Sequence, residues 1–165
     1  FLDTYDLPWN FDQTLAKVYE LEAQILAQGV NLKKGAKNLL TYLQKEGVPI
    51  ALATSSVESR ARMILDSNGI LSLFDHLVFA KDVKRSKPYP DIFLKACSDL
   101  NVLPENCLVL EDSEAGIEAA SRAGIPVICI PDLKIPAQSF LNKTEQVFQD
   151  LDAVRDYLES KKEVF

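Results

Sequence analysis

Short apolar runs alternate along this chain with longer segments of helical spacing, and this alternation restricts the fold more than any other feature. Four runs are strongly apolar and are predicted to be strands: Val48 to Ala53, Leu77 to Ala80, Cys107 to Leu110 and Pro126 to Ile130. Continuous apolar runs of this length are typical of parallel strands that are buried on both faces. Strands separated by helices imply βαβ crossovers. The predicted fold class is therefore α/β, a doubly wound three-layer parallel sheet.

Six helices are predicted from the spacing of apolar residues and from the signals at their ends. They are Phe11 to Ala27, Gly35 to Glu46, Val57 to Asn68, Pro88 to Leu100, Glu114 to Ala123 and Leu151 to Ser160. A weak last strand is predicted near Gln146 to Phe148. The predicted domain boundary lies near Asn31 to Gly35, between the first helix and the alternating pattern.

Two adjacent acids, Glu111 and Asp112, stand directly after the strand that ends at Leu110. In open α/β sheets ligands bind beyond the carboxyl ends of the strands, and carboxylate oxygens bind Mg²⁺ there. Ser113 follows as the predicted N-cap of the next helix, with acidic Glu114 in its first turn. On these residues alone, a capped helix after a strand, without any metal, remains an open alternative.

Polar side chains also follow two other predicted strands. Thr54, Ser55 and Ser56 come directly after Ala53, where backbone N–H groups and hydroxyls can bind an anion. Lys87 lies between a short strand and a helix, where it can stabilise a phosphate or neutralise clustered carboxylates. A helix cap for the hydroxyls and a solvated loop for the lysine are the alternatives. The three motifs together, each after a predicted strand, indicate a phosphate and Mg²⁺ site.

The order of these motifs resembles that of the haloacid dehalogenase-like superfamily, most closely its β-phosphoglucomutase-like phosphatase branch. The resemblance extends from about Val30 to Leu158. It is carried by the segments GVNLKKGAKNLLTYLQKEGVPIALATSS, FAKDVKRSKPYPDIF and VLEDSEAGIEAASRAGIPVICI. The resemblance implies a Rossmannoid core with a helical cap, and Mg²⁺-dependent phosphoryl transfer.

The resemblance also implies a role for each motif residue. By position, Thr54 matches the hydroxyl that binds the transferring phosphoryl group, and the Ser55 backbone assists it. Lys87 matches the lysine that stabilises the phosphoryl transition state and the acidic cluster. Asp112 matches the Mg²⁺ ligand, and Glu111 is a neighbouring ligand or a supporting residue.

One motif of this superfamily is not found in the sequence. Its enzymes attack phosphate with the first Asp of an N-terminal Asp-x-Asp, whose second Asp is the general acid/base. The nearest acids, Asp3 and Asp6, lie in FLDTYDLPWN, without a preceding apolar run or a following Gly. Residues 1–32 resemble instead the C-terminal part of a helical cap, and residues 33–165 a core that lacks its first strand. We therefore expect the nucleophile upstream, and expect the chain as given to be incomplete and inactive.

Composition favours a cytoplasmic globular domain. The 165 residues, 47% of them apolar, suffice for one core but not for two full domains. The net charge of −6 and the scattered basic residues argue against nucleic acid or an anionic membrane as partners. Cys97, Cys107 and Cys129 have no metal-ligand spacing and are predicted to be reduced core thiols. We expect a monomer whose partner is a small phosphorylated metabolite.

Three functional interpretations stay open at this point. The first is a Mg²⁺-dependent phosphatase of small metabolites such as sugar phosphates, or a phosphoglucomutase-type enzyme. Thr54, Lys87 and Asp112 do not separate those two activities. The second is a dehalogenase or phosphonate hydrolase, and adjacent Glu111 and Asp112 disfavour the dehalogenase because it needs no metal. The third is a non-catalytic remnant that binds a partner or a phosphate without turnover.

Overall fold

The structure, a computed structural model, describes residues 10–27 and 29–162, and the chain divides into two units at Asn31. The first unit contains the helix α1, Phe11–Ala27, at the predicted bounds. This helix begins there because the Asn10 side-chain Oδ1 accepts a hydrogen bond from Asp12 N at 2.8 Å. The acids considered as nucleophiles, Asp3 and Asp6, lie outside the described residues.

The second unit, residues 32–165, contains the remaining helices and all the described strands. Its helices are α2 (Ala36–Lys45), α3 (Glu58–Ser67), α4 (Asp91–Asp99), α5 (Glu114–Ala123), α6 (Gln138–Leu141) and α7 (Leu151–Lys162). Its strands are β1 (Ala51–Thr54), β2 (His76–Phe79), β3 (Val109–Glu111), β4 (Val127–Cys129) and β5 (Gln146–Val147). Among the described residues, no helix combines the length and apolarity needed to cross a bilayer.

The strands form two parallel sheets. In the first sheet β1 pairs with β2, with Ala51 opposite His76 and Thr54 opposite Phe79. In the second sheet β4 lies between β3 and β5, and Glu111 is opposite Cys129. The predicted α/β class with parallel strands is confirmed.

Helices cover both faces of the second sheet, which gives the three predicted layers there. On one face, residues of α4 and α5 pack with Val127 and Cys129 of β4. On the other face, residues of α2 and α7 pack with Ile128 and Ile130. This alternation along one strand follows from the two-residue period of side chains in a strand. It explains why the sequence of β4 is apolar at every position.

Several predicted bounds are wrong by one to three residues, for local reasons. The first strand starts at Ala51 rather than Val48, because Val48 N still donates to Leu43 O at the end of α2 and Pro49 has no N–H. Helix α4 starts at Asp91 rather than Pro88, because Tyr89 N closes a turn onto Ser86 O at 3.0 Å. The four-residue helix α6 was not predicted, since so short a segment carries no periodic signal.

A groove separates the two sheets, and we call it the central groove. It has a volume of about 1010 Å³ and is lined along its length by β1 and by residues 107–112 of the β3 region. Apolar side chains of α2 and α4, including Leu39 and Phe93, also line it. Within residues 10–27 and 29–162, no strand joins β1 to β3. Each of these two strands is therefore paired with another strand along one edge only.

Candidate phosphate site at the end of the central groove

The carboxyl ends of β1 and β3 are connected by the side chain of Lys87. Its Nζ donates a hydrogen bond to Ala53 O at 3.2 Å, and it also forms an ion pair with Glu111 Oε1. The ammonium group lies 4.8 Å from the centre of the Phe93 ring, at a distance that favours a cation–π contact. The structure thus brings Lys87 and Glu111, which are 24 residues apart, to the same end of the central groove.

Both carboxylate oxygens of Glu111 interact with neighbouring groups. Oε1 pairs with Lys87, while Oε2 accepts hydrogen bonds from Asp112 N at 3.0 Å, Ser113 N at 3.1 Å and Ser113 Oγ at 2.9 Å. Burial alone would raise the pKa of this carboxyl, but the Lys87 charge and these hydrogen bonds hold the pKa below its ordinary value. Glu111 is therefore an ionised anchor for Lys87, with few lone pairs left for a metal.

Asp112 differs from its neighbour because its side chain is exposed at the end of the groove. Partial desolvation by surrounding protein atoms, followed by repulsion from the Glu111 carboxylate, raises the pKa of Asp112. A nearby cation would reverse this effect, because it favours the charged form of the carboxyl. Of the two adjacent acids, Asp112 is the one whose carboxylate is exposed and could hold a ligand.

Thr54 ends β1 next to Ala53, the residue that accepts the hydrogen bond from Lys87. Its Oγ1 accepts a hydrogen bond from Ser56 N at 3.1 Å, which shapes the turn that leads to α3. That contact uses an oxygen lone pair of Thr54 and leaves its O–H hydrogen to donate to an anion. Ser55, between these two residues, is exposed.

Two small residues that follow the acids shape the site, and only one was predicted. Ser113 is confirmed as the N-cap of α5, since its Oγ accepts from Gly116 N at 3.0 Å. Gly116 was missed. A Cβ at this position would lie 1.9 Å from Glu111 Cδ, so any larger residue would force the buried, hydrogen-bonded carboxylate to move. A glycine inside a helical pattern is the available signal for such a close approach.

Lys33 is a second residue that the sequence reasoning missed. Its Nζ donates to Ile130 O and Pro131 O, both at 2.9 Å, and lies 3.6 Å from Asp132 Oδ1. Its charge acts on Asp112 and partly opposes the rise in the pKa of that carboxyl. No motif marks this lysine, because its contacts join residues 97 and 98 positions apart.

The carboxylates at this site can be compared with the ligands that the Mg²⁺ expected from the sequence would need. Within the described residues, no group of three or more His, Cys, Asp or Glu side chains is positioned to hold a metal ion. Mg²⁺, however, is commonly bound through only one or two carboxylates, with water and substrate phosphate as the other ligands. Exposed Asp112 fits such a site as one carboxylate ligand, and Glu111 fits better as the support for Lys87.

The strands are parallel and helices pack on them, and polar groups lie together at the carboxyl ends of the strands. These features define the class of α/β proteins that bind ligands at the carboxyl edge of the sheet. A family profile described as haloacid dehalogenase-like hydrolase matches residues 2–130. The chain therefore belongs to the haloacid dehalogenase-like hydrolase family, as predicted.

Two relatives and one solved structure illustrate the similarity. A probable pseudouridine-5′-phosphatase of Drosophila melanogaster is 34% identical over 162 residues, which cover 94% of this chain and 68% of that protein. A phosphorylated carbohydrates phosphatase of Thermotoga maritima is 35% identical over 124 residues, covering 75% of this chain and 57% of that protein. The crystal structure of β-phosphoglucomutase from Clostridium difficile shares the fold, with a TM-score of 0.75 at 24% identity, covering 97% of this chain and 72% of that one.

Proposed function

We propose that the whole protein is a Mg²⁺-dependent phosphatase of small phosphorylated metabolites, with sugar phosphates as the substrate class. The observation that carries the proposal is the position of Lys87, whose ammonium group links the carboxyl ends of β1 and β3 beside Asp112. The names of the two relatives, both phosphatases, support the reaction class. We further propose that the protein works in the cytoplasm as a monomer.

In this proposal the residues of the site divide the work of phosphoryl transfer. Thr54, the Ser55 backbone and Lys87 bind the equatorial oxygens of the phosphoryl group, where positioning and charge stabilisation dominate the chemistry. Glu111 positions Lys87 through their ion pair. Asp112 holds Mg²⁺, which when bound reduces the repulsion between a dianionic phosphate and an attacking carboxylate.

The attacking carboxylate belongs, we propose, to a segment outside these 165 residues that enters the central groove as a strand. Its oxygen attacks phosphorus, the ester P–O bond breaks, and the alcohol leaves with a proton from a general acid. Water then hydrolyses the aspartyl-phosphate and releases inorganic phosphate. The central groove supports this arrangement because Thr54 and Asp112 both line it, and Glu111 is already engaged. Residues 1–32 then form part of a cap and residues 33–165 part of the core.

The test uses the whole protein and its Asp112→Asn variant with a panel of phosphorylated sugars and nucleosides. We expect phosphate release by the wild type that chelation of Mg²⁺ abolishes, and a loss of about 10²–10³ in turnover for the variant. Asp99→Asn is the matched control, because Asp99 pairs with Lys95 at the end of α4, away from the site. Turnover of Asp112→Asn at the wild-type level would contradict the proposal.

The same assay separates the phosphatase from its alternatives. A phosphoglucomutase-type enzyme would convert one sugar phosphate into its isomer and release little inorganic phosphate. A non-catalytic remnant would give neither product in the whole protein, although it could still bind phosphate. Product analysis by NMR therefore distinguishes the three outcomes in one experiment.

A further inference from the structure

Two thiols face each other where α4 ends. The sulfurs of Cys97 and Cys107 lie 3.3 Å apart, as two free cysteines in contact. Cys97 lies near the end of α4 and is buried in the core, whereas Cys107 precedes β3 and is only half-buried. The third thiol, Cys129, is buried in β4, and among the described residues it has no sulfur neighbour.

The segment between these two thiols folds back on itself and holds both in place. Val102 N donates to Cys97 O at 3.0 Å, and Cys107 N donates to Pro104 O at 3.0 Å. The Cys107 thiol also donates to Leu103 O at 3.4 Å. The reversal passes through Asn101, whose φ of 55° lies in the left-handed region that asparagine tolerates. Main-chain contacts therefore fix the positions of both cysteines.

We propose that Cys97 and Cys107 form a site of reversible oxidation, at which a hydroperoxide converts the two thiols into one intramolecular disulfide. The sulfur of Cys107 attacks the peroxide O–O bond, becomes a sulfenic acid and releases water or an alcohol. The sulfur of Cys97 then attacks the sulfenic sulfur, the S–O bond breaks, and the hydroxyl leaves as water with the Cys97 proton. Together the two sulfurs lose two electrons, which reduce the peroxide, and a thiol reductant reverses the change.

The surroundings of the two thiols give this order of events. Cys107 is the more accessible of the two, so an oxidant reaches it first. Burial, together with the contact to Cys107, raises the pKa of the Cys97 thiol to about 12, so this thiol stays protonated and is not the first to react with the peroxide. A disulfide has an S–S distance near 2.05 Å, so the sulfurs at 3.3 Å need to approach by about 1.3 Å.

The experiment treats the whole protein with hydrogen peroxide, blocks the remaining thiols and maps the peptides by mass spectrometry. Trypsin leaves both cysteines in one peptide, residues 96–122, whose mass should fall by about 2 Da on oxidation. Cleavage after Glu105 then yields two pieces that stay joined until a reductant is added. We expect this link to form at least about tenfold faster in the folded protein than in urea, because folding orients the two sulfurs.

Three variants make the result decisive. Cys129→Ser should form the same link, and Cys107→Ser should form none. Cys97→Ser should stop at a Cys107 sulfenic acid that dimedone traps. The proposal is overturned if Cys107 in the wild type proceeds to a sulfinic acid without a link. It is also overturned if Cys129 is linked as often as Cys97, or if folded and unfolded chains react at equal rates.

Discussion

The ammonium group of Lys87 is paired with the carboxylate of Glu111 at the point where β1 and β3 end, and both side chains are nearly buried, at 11% and 7% exposure. A buried ion pair contributes little net stability, but the loss of one partner leaves an uncompensated charge. A substitution in this pair is therefore expected to change both the stability of the fold and the activity of the site. Mutants of either residue need a stability measurement beside the activity measurement.

Lys87→Met in the whole protein should lose turnover by about 10²–10³, because a preorganised cation at the phosphate is removed. It should also lower the free energy of unfolding by about 3–5 kcal/mol, since Glu111 stays buried without its partner. Denaturant unfolding and steady-state kinetics measure the two effects. The double variant Lys87→Met/Glu111→Gln should recover much of the stability and none of the turnover.

Lys84→Met is the control for this prediction, because Lys84 lies exposed in the same loop. It should leave both the turnover and the free energy of unfolding near the wild-type values. Recovery of turnover in the double variant would show that Lys87 acts on stability alone.

Gly116→Ala in the whole protein should lower its free energy of unfolding by about 1–3 kcal/mol, the usual cost of overpacking a filled interior. In a helix free of contacts the same change would stabilise by up to about 1 kcal/mol, because alanine has the higher helix propensity. The clash at 1.9 Å with Glu111 Cδ decides the sign here. Thermal unfolding measures the effect, with Ser121→Ala on the exposed side of α5 as the control. An increase in the melting temperature would mean that the carboxylate has room to move.

Gly35→Ala should destabilise more than Gly47→Ala. Both glycines have positive φ, 82° and 68°, so each substitution pays for a left-handed alanine, about 1–2 kcal/mol. A Cβ on Gly35 would in addition lie 2.1 Å from Asp152 N, where α2 meets the start of α7, whereas a Cβ on Gly47 meets nothing within 4 Å. Urea unfolding of the two variants of the whole protein tests the difference, and equal destabilisation would contradict it.

Residues 1–165 expressed alone should not give a cooperative thermal transition. The edges of β1 and β3 that face the central groove lack a partner strand among the described residues, and each dry, unpaired backbone group costs about 1–3 kcal/mol. Several such groups would offset much of a typical stability of about 5–15 kcal/mol. Calorimetry of this piece beside the whole protein makes the comparison. A sharp transition in the piece alone would contradict the prediction.

Local signals predicted the helices best. Helix α5 has the predicted bounds, because Ser113 caps its start and Gly124, with a φ of 70°, ends it. The first strand was predicted to start too early, because the apolar run at Val48 does not reveal that its N–H is already used by α2. Motif order led to Lys87, Glu111 and Asp112, and the structure brings the first two into contact.

The rest of the site depends on contacts between residues far apart in the chain. The sequence does not show that Glu111 is engaged on both oxygens, so it could not divide the roles of the two acids. The Lys33 ammonium group donates to the carbonyl oxygens of Ile130 and Pro131, which follow β4. No local sequence pattern relates these residues to that lysine.

Helix α4 packs against both strands of the first sheet and against α5, which covers the second sheet. Its residue Ala96 is buried and lines the central groove. The helix thus bridges the two sheets, and Ala96 lies beside the space between them. A larger residue at position 96 would press on this space and shift Ala53 or Glu111, the two partners of Lys87. Substrate fit could then be altered from a helix that carries none of the proposed phosphate-binding groups.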